Sequence, residues 1–302
     1  IWLAAYGTMS SKRRDLPMLA SFHTNVPEYT QRLGLEWITD TTERWITWIH
    51  NLAEVNLCTS QQMVEQAAAA GIENLDLWPR AVDTVGYTPD NASRAMRERL
   101  TDGHPEDRLL VYVGRLSKEK DLGILRAVLD RLPVGTRLAL IGSGPHRADL
   151  ERDFAGTPTV FTGYMGGREL ASAYASADVF VFPSTTETLG LVALESLASG
   201  VPVVGARAGG IPFAVQDGVD GLLFEPHSAD DMARQISRLL ADEDLRRRLG
   251  AQGRASTEQY GWRAATERLV EFYELAIERH WSQHVEPAWR IKLLGRPMPR
   301  AR

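Results

Sequence analysis

The 302-residue sequence holds one cysteine, four lysines and no apolar run approaching the roughly 18 residues that a membrane-spanning helix needs. The lone cysteine, Cys58, excludes an intramolecular disulfide framework and fits a reducing compartment. The expected location is cytoplasmic, with any contact to the inner face of the membrane peripheral. Excess positive charge is missing too. A formal net charge of −5 argues against a general nucleic-acid binder, so no nucleic-acid partner is expected. Neither an internal repeat nor a low-complexity block is visible. What is present is 44% apolar and 24% charged, the balance of a globular protein with one large domain or two ordinary ones. No secretory pattern precedes this. The chain opens at Ile1, and "IWLAAYGTMSSKRRDLPMLASFHTN" reads as the end of a helix, a basic loop and a strand, as if entered partway through a domain.

From residue 108 onward, short apolar runs alternate with helical patterns. "RLLVYVG" (108–114), "TRLALIG" (136–142), "PTVFTG" (158–163), "DVFVFPS" (178–184) and "VPVVGA" (201–206) are rich in Val, Ile and Phe, as strands buried on both faces are. In "DLGILRAVLDRL" the residues Leu122, Leu125, Val128, Leu129 and Leu132 recur at spacings of three and four. Similar stretches follow at 146–154, 167–177, 188–199 and 228–240. Repeated strand–helix units predict a doubly wound α/β domain with a parallel sheet. Residues 16–24 and 55–60 predict two strands of a second such domain, with "LDLWPRAVD" (75–83) leading out of it.

Ligands of open parallel sheets sit outside the carboxyl ends of the strands. There, "VGRLSKEK" places two of the four lysines, Lys118 and Lys120, in one turn. Gly114 lets the chain turn sharply, so that Arg115 and Lys120 can project cations toward a diphosphate. Lysines that merely face water would explain the same turn. In "PSTTETLGLVALESLASGVPVV" (183–204), Glu187 lies in the loop after a strand and Glu195 inside the following helix. At about 1.5 Å per residue the two carboxylates would stand roughly 12 Å apart along that axis, the span of a nucleotide sugar. Leu189 and Gly190 mark the expected helix start, with backbone N–H groups free to face phosphate. Dipole compensation by Glu187 and simple exposure of Glu195 are the competing explanations. Yet Glu195 sits among apolar and small residues, where a carboxylate needs a partner.

Taken with "IGSGPHRADL" (141–150), "FTGYMGGRELASAYASADVFVFPS" (161–184), "ETLGLVALE" (187–195) and "ARAGGIP" (206–212), the sequence resembles the retaining glycosyltransferases of family GT4. The resemblance implies the GT-B fold: α/β, two Rossmann-like doubly wound parallel-sheet domains, the first one incomplete. Residues 1–85 would form the partial acceptor-side domain and 86–262 the nucleotide-sugar domain. Residues 263–302 would be a helix crossing back to the first domain, with a basic tail. It further implies that Arg115 and Lys120 bind the donor diphosphate and that Glu187 holds sugar hydroxyls. Glu195 would hold the ribose. The backbone of Thr188, Leu189, Gly190 and Leu191 would face sugar and phosphate, with Gly163 and Met165 bordering the base. No cofactor or metal is implied: Asp242 and Asp244 of "ADEDLRRR" fall at a helix start, where capping explains them.

The front end, "SFHTNVPEYTQRLGLEWITDTTERWITWIHNLAEVNLCTS" (21–60), resembles the sulfolipid synthases and related lipid mannosyltransferases. That branch implies transfer of sulfoquinovose from its UDP ester to diacylglycerol, with His23 facing the donor sugar as a catalytic residue beside Arg115, Lys120 and Glu187. Tyr29 and Arg32 would lie on the acceptor side. A donor of GDP-mannose or UDP-glucose, a nucleotide-sugar epimerase on the same fold, and a truncated module that binds without turnover are the alternatives. Trp37, Trp45 and Trp48, with Ile38, Ile46, Ile49 and Leu52, form a helical stripe that reads as core or as a face meeting lipid. The part of the family's first domain that carries its glycine-rich loop is absent, and Phe213 of "GGIPF" stands where an acidic residue is common.

Overall fold

A computed structural model of the chain describes residues 2–22 and 39–284. His23, Tyr29, Arg32 and Trp37, like the tail beyond 284, lie outside the described residues. The chain divides into two compact units, one of residues 1–59, 63–78 and 267–302, the other of 60–62 and 79–266.

In the first unit, helix α1 (Trp2–Arg13) precedes strand β1 (Leu19–Phe22), α2 (Thr39–His50), β2 (Val55–Cys58), α3 (Gln61–Ala69) and β3 (Leu75–Leu77). The strands form a parallel sheet in the order β1-β2-β3. β2 is buried throughout, and its alternation serves two cores. Cys58 joins Phe22, Ile46, Met63, Ala67 and Ile72, whereas Val55 and Leu57 meet Phe272 and Ala276 of the last helix. Helices on both faces explain why a strand as short as "VNLC" carries no exposed position. Asn56, the polar member, is fully satisfied: its Oδ1 pairs with His50 Nδ1 at 2.8 Å and its amide donates to the carbonyls of His50 and Glu73. Burial lowers the His50 pKa, so the neutral ring donates to Asn56. The stripe on α2 splits. Ile46 is buried and Trp45 packs against the core, while Trp48 stays half exposed.

The last helix, labelled α12 below (Trp262–His284), is fixed by a buried pair. His280 Nδ1 meets Glu54 Oε1 at 2.8 Å, and Glu54 Oε2 accepts the Met18 N–H at 2.6 Å. No helix among the described residues is long and apolar enough to cross a membrane.

The second unit runs α4 (Arg94–Leu100), β4 (Arg108–Val113), a 3-10 turn (Lys118–Lys120), α5 (Ile124–Leu129), β5 (Thr136–Ile141), α6 (Arg147–Asp153) and β6 (Thr159–Gly163). It continues with α7 (Gly167–Ala175), β7 (Val179–Phe182), α8 (Leu191–Ala198), β8 (Val203–Ala206), α9 (Ile211–Ala214), β9 (Gly221–Phe224), α10 (Ala229–Ala241) and α11 (Glu243–Thr257). All six strands are parallel, in the order β6-β5-β4-β7-β8-β9. The chain winds outward from β4 to β6 and then from β7 to β9. The reversal between β4 and β7 is where such sheets open a crevice for a ligand.

The expected strands and helices appear, with instructive differences. The helix expected over 121–132 begins only at Ile124, because Asp121 takes the left-handed conformation (φ 51°) and ends the 3-10 turn first. The helix expected over 188–199 begins at Leu191, behind a left-handed Gly190. β9 and the short α9 were not anticipated, and of α11 only the capped start at Asp242 was. β9 has four residues, too few to show a period. α11 is polar nearly all round and packs through Gly250 and Gly253, where an added Cβ would strike the Gly200 carbonyl and the Leu197 side chain.

Burial pushes the Cys58 thiol up to about 11. The native protein should therefore resist iodoacetamide at pH 8 and react only after unfolding, as counted by mass spectrometry; rapid native labelling would contradict the packing of β2.

Candidate functional site

The tips of β4 and β5 approach so closely that only glycine fits. A Cβ on Gly114 (φ 155°) would lie 2.6 Å from Tyr112 Oη, and one on Gly142 would collide with the Gly114 carbonyl. Two backbone bonds lock the approach: Leu116 N to Ser143 O at 2.9 Å, and His146 N to Leu116 O at 2.9 Å. The 3-10 turn after β4 is thus a rigid mount. Inside it, Ser117 donates to Glu119 at 2.6 Å, and beyond it His227 Nδ1 meets Asp121 Oδ2 at 2.9 Å.

From this mount Lys120 crosses the gap between β4 and β7. Its Nζ donates to Glu187 Oε1 at 2.5 Å, with about four-fifths of each side chain covered (18% and 20% exposed). The Glu187 loop is backed by the "AGG" turn after β8. Gly210 N donates to Glu187 O at 2.6 Å, and a Cβ on Gly209 would lie 2.6 Å from that carbonyl. A Cβ on Gly210 would overlap the Thr188 carbonyl. The two glycines therefore fix where Glu187 stands. "ARAGGIP" was recognisable as a motif, but this supporting role was not.

Glu187 is outside α8, so the helical rise used to space the two carboxylates applies only from Leu191 onward, and the 12 Å expectation is withdrawn. The same shift moves the amide-rich end from Leu189 and Gly190 to Leu191 and Val192. Gly190, at φ 65°, supplies the turn into the helix, and Thr188 and Leu189 belong to the loop before it. Glu195, one turn along α8, has the partner its surroundings demanded: Tyr174 Oη donates to its Oε2 at 2.9 Å. Burial raises the Glu195 pKa, opposed by the hydrogen bond from Tyr174.

Arg115 shares the turn with Lys120 but not its partner. The side chain is exposed, and its guanidinium makes no hydrogen bond or ion pair among the described residues. It lines a cavity of about 350 Å³ with Ser117, Lys118, Glu119, Pro145, His146 and Asp149. Gly163 (φ 79°) ends β6. Met165 turns into the core at 3% exposure, whereas its neighbour Tyr164 stands 82% exposed. The aromatic side chain at this rim was missed, although the paired glycines after it marked a loop. His23, Tyr29 and Arg32, the remaining residues expected here, fall outside the described set. Asp242 caps α11, accepting the Leu245 N–H at 2.8 Å.

The crossover between β4 and β7 thus brings together an ammonium held by a carboxylate and the N-terminus of α8, with an unpaired guanidinium on the same turn as the lysine. Residues 98–256 match the model of glycosyl transferases group 1, and residues 1–85 that of glycosyltransferase family 4. The chain belongs to this glycosyltransferase family. It is 43% identical over 274 residues to a sulfoquinovosyl transferase (SQD2) of Arabidopsis thaliana, covering 88% of this chain and 54% of that protein. It is 32% identical to a GDP-mannose-dependent alpha-mannosyltransferase of Mycobacterium tuberculosis, over 93% of this chain and 72% of that one. The chain thus spans about half the length of the Arabidopsis relative. Among solved structures, Anabaena Alr3699/HepE in complex with UDP aligns with a TM-score of 0.80 at 22% identity, over 90% of this chain and 76% of that one. The fold is GT-B, built from parallel sheets with helices between the strands.

Gly210→Ala should cost about 1–3 kcal/mol through overpacking against Thr188, read as a lower urea midpoint. Gly123→Ala is the control, since nothing lies within 4 Å of a Cβ there. Equal stability of the two variants would contradict the close approach.

Proposed function

We propose that this chain carries the donor site of a retaining glycosyltransferase, which moves a sugar from a nucleoside-diphosphate sugar to an acceptor. The observation that carries this reading is the Lys120–Glu187 contact across the β4/β7 gap, beside an unpaired Arg115. A diphosphate entering the gap offers Lys120 a stronger anion than one carboxylate. Glu187 is then free to accept hydrogen bonds from sugar hydroxyls. The first amides of α8 add donors for the same charge, which grows as the glycosidic bond breaks, and Arg115 is assigned to that charge on the resemblance. The sugar becomes cation-like at its anomeric carbon, and the acceptor hydroxyl attacks from the face the nucleotide leaves, retaining configuration. No protein nucleophile and no metal is assigned a step.

UDP-sulfoquinovose and diacylglycerol are the substrates this reading favours. Their support is the 43% identity to a sulfoquinovosyl transferase, against 32% to a mannosyltransferase that uses GDP-mannose. The acceptor would be reached from a peripheral position on the membrane. His23 is assigned to the donor sugar, and Tyr29 and Arg32 to the acceptor side, on the resemblance of the front end.

Calorimetry with UDP tests the donor site. Lys120→Ala and Glu195→Ala should each weaken binding by about 1–3 kcal/mol, roughly 5- to 150-fold. Unchanged affinity in both variants would reject the assignment. Incubation with UDP-sulfoquinovose and diacylglycerol should release UDP and a glycosylated lipid; an isomerised nucleotide sugar would identify an epimerase instead.

A further inference from the structure

Most half-buried arginines of the second unit hold a carboxylate. Arg97 Nη2 meets Asp178 Oδ2 at 2.6 Å, Arg137 Nε meets Asp107 Oδ2 at 2.7 Å, and Arg246 Nε lies 3.8 Å from Asp178 Oδ1. Arg126 and Arg147 hold Asp130 and Glu151, each one helical turn along. Arg254 has no carboxylate, but its guanidinium donates to two carbonyls, those of Tyr87 and Ala198. Arg80, in the segment after β3, has less than any of these. It is half-buried, donates through Nη1 to the Phe213 carbonyl, and meets no carboxylate among the described residues. Burial lowers its pKa, with Tyr260 opposing. A cation drawn out of water without an anion is a cost to the fold. Phe213 brings no relief, because its side chain, 44% exposed, carries no charge.

The position of this cation is fixed at both ends. Val82, two residues on, donates its N–H to Tyr260 O at 2.9 Å and bridges Gly261 in parallel register, which ties the segment to the second unit. Phe213 belongs to α9, which backs the loop that carries Glu187. Gly210 N, just before α9, donates to Glu187 O at 2.6 Å, and a Cβ on Gly190 would come 3.1 Å from Ala214 Cβ at the helix end. The Phe213 carbonyl therefore lies about one helical turn, roughly 5 Å, from the support of Glu187. That is the scale of one hexose ring.

Glu187 is assigned to hydroxyls of the donor sugar. A sulfonate on carbon 6 stands at the edge of the same ring. A guanidinium receives such oxygens through paired N–H donors, as it does those of a carboxylate or a phosphate. We propose that Arg80 selects a sulfonated donor sugar by giving its remaining N–H donors to the sulfonate. This rests on the donor-site reading above and names the class of sugar that site takes. A neutral hexose leaves the guanidinium half-buried on one carbonyl, so the gain on binding is confined to the charged sugar.

The test measures, by calorimetry, the affinities of UDP, UDP-glucose and UDP-sulfoquinovose for wild type, Arg80→Gln and Phe213→Glu. Glutamine retains an N–H donor for the Phe213 carbonyl. Glutamate at 213 keeps Arg80 and sets a carboxylate on the residue it already touches. Wild type should bind UDP-sulfoquinovose roughly tenfold more tightly than UDP-glucose. In both variants that ratio should fall to within about twofold, while affinity for UDP, which carries no sugar, stays within about twofold of wild type. A wild-type ratio near one, or a ratio that survives Arg80→Gln, overturns the role of Arg80 and leaves the donor site standing. Should Arg80→Gln lose UDP as well, Phe213→Glu decides alone, and a ratio kept at the wild-type value overturns that role. If wild type binds no UDP, the donor-site reading itself fails.

Discussion

The second unit is organised around one contact, the Lys120 ammonium on the Glu187 carboxylate where the sheet reverses direction. An ion pair about four-fifths covered contributes little net stability, because desolvating the two charges offsets most of their attraction. The surrounding chain nevertheless holds both members with unusual backbone. Gly114 and Gly142 bring two strand tips within the reach of glycine alone, and Gly209 and Gly210 press against the Glu187 loop. A non-glycine residue, Asp121, takes a left-handed conformation directly after Lys120. Such strain is expected where a site is preorganised rather than where a fold is merely stabilised. On the proposed reading, this pair is the contact that the donor diphosphate exchanges.

Around that pair the charges are unequal in their freedom. Glu195 is braced by the Tyr174 phenol and Lys120 by a carboxylate, whereas Arg115 has no partner among the described residues. A guanidinium keeps its charge in almost any setting and offers planar, paired donors. On the proposed reading, the open guanidinium meets the incoming anion first and the lysine exchanges its carboxylate for it. The first unit uses its buried polar groups differently. Asn56 and the His280–Glu54 pair are closed on neighbouring secondary structure, and they fix strands and the last helix in place.

Much of this was legible in the sequence because it depends on period and punctuation. Five strands of the larger sheet announced themselves as apolar runs, three of them ending in glycine, and Arg115, Lys120 and Glu187 were singled out by their place after strand ends, Glu195 by its apolar surroundings. What stayed hidden depends on distance through space. Nothing local marks Tyr174 as a neighbour of Glu195, Gly210 as the support of Glu187, or Tyr164 rather than Met165 as the exposed side chain. The late start of α8 was hidden too, since the helical pattern from 188 onward gives no sign that Gly190 adopts φ 65°. The resemblance of the motifs to GT4 named the chemistry, and the geometry assigned the supporting parts.

The most direct measurement is a crystal structure with UDP bound. The account predicts a pyrophosphate between the tips of β4 and β7, within hydrogen-bond distance of Lys120 Nζ and the Leu191 and Val192 amides, with the Lys120–Glu187 contact opened. A pyrophosphate bound elsewhere, with that contact still closed, would contradict it.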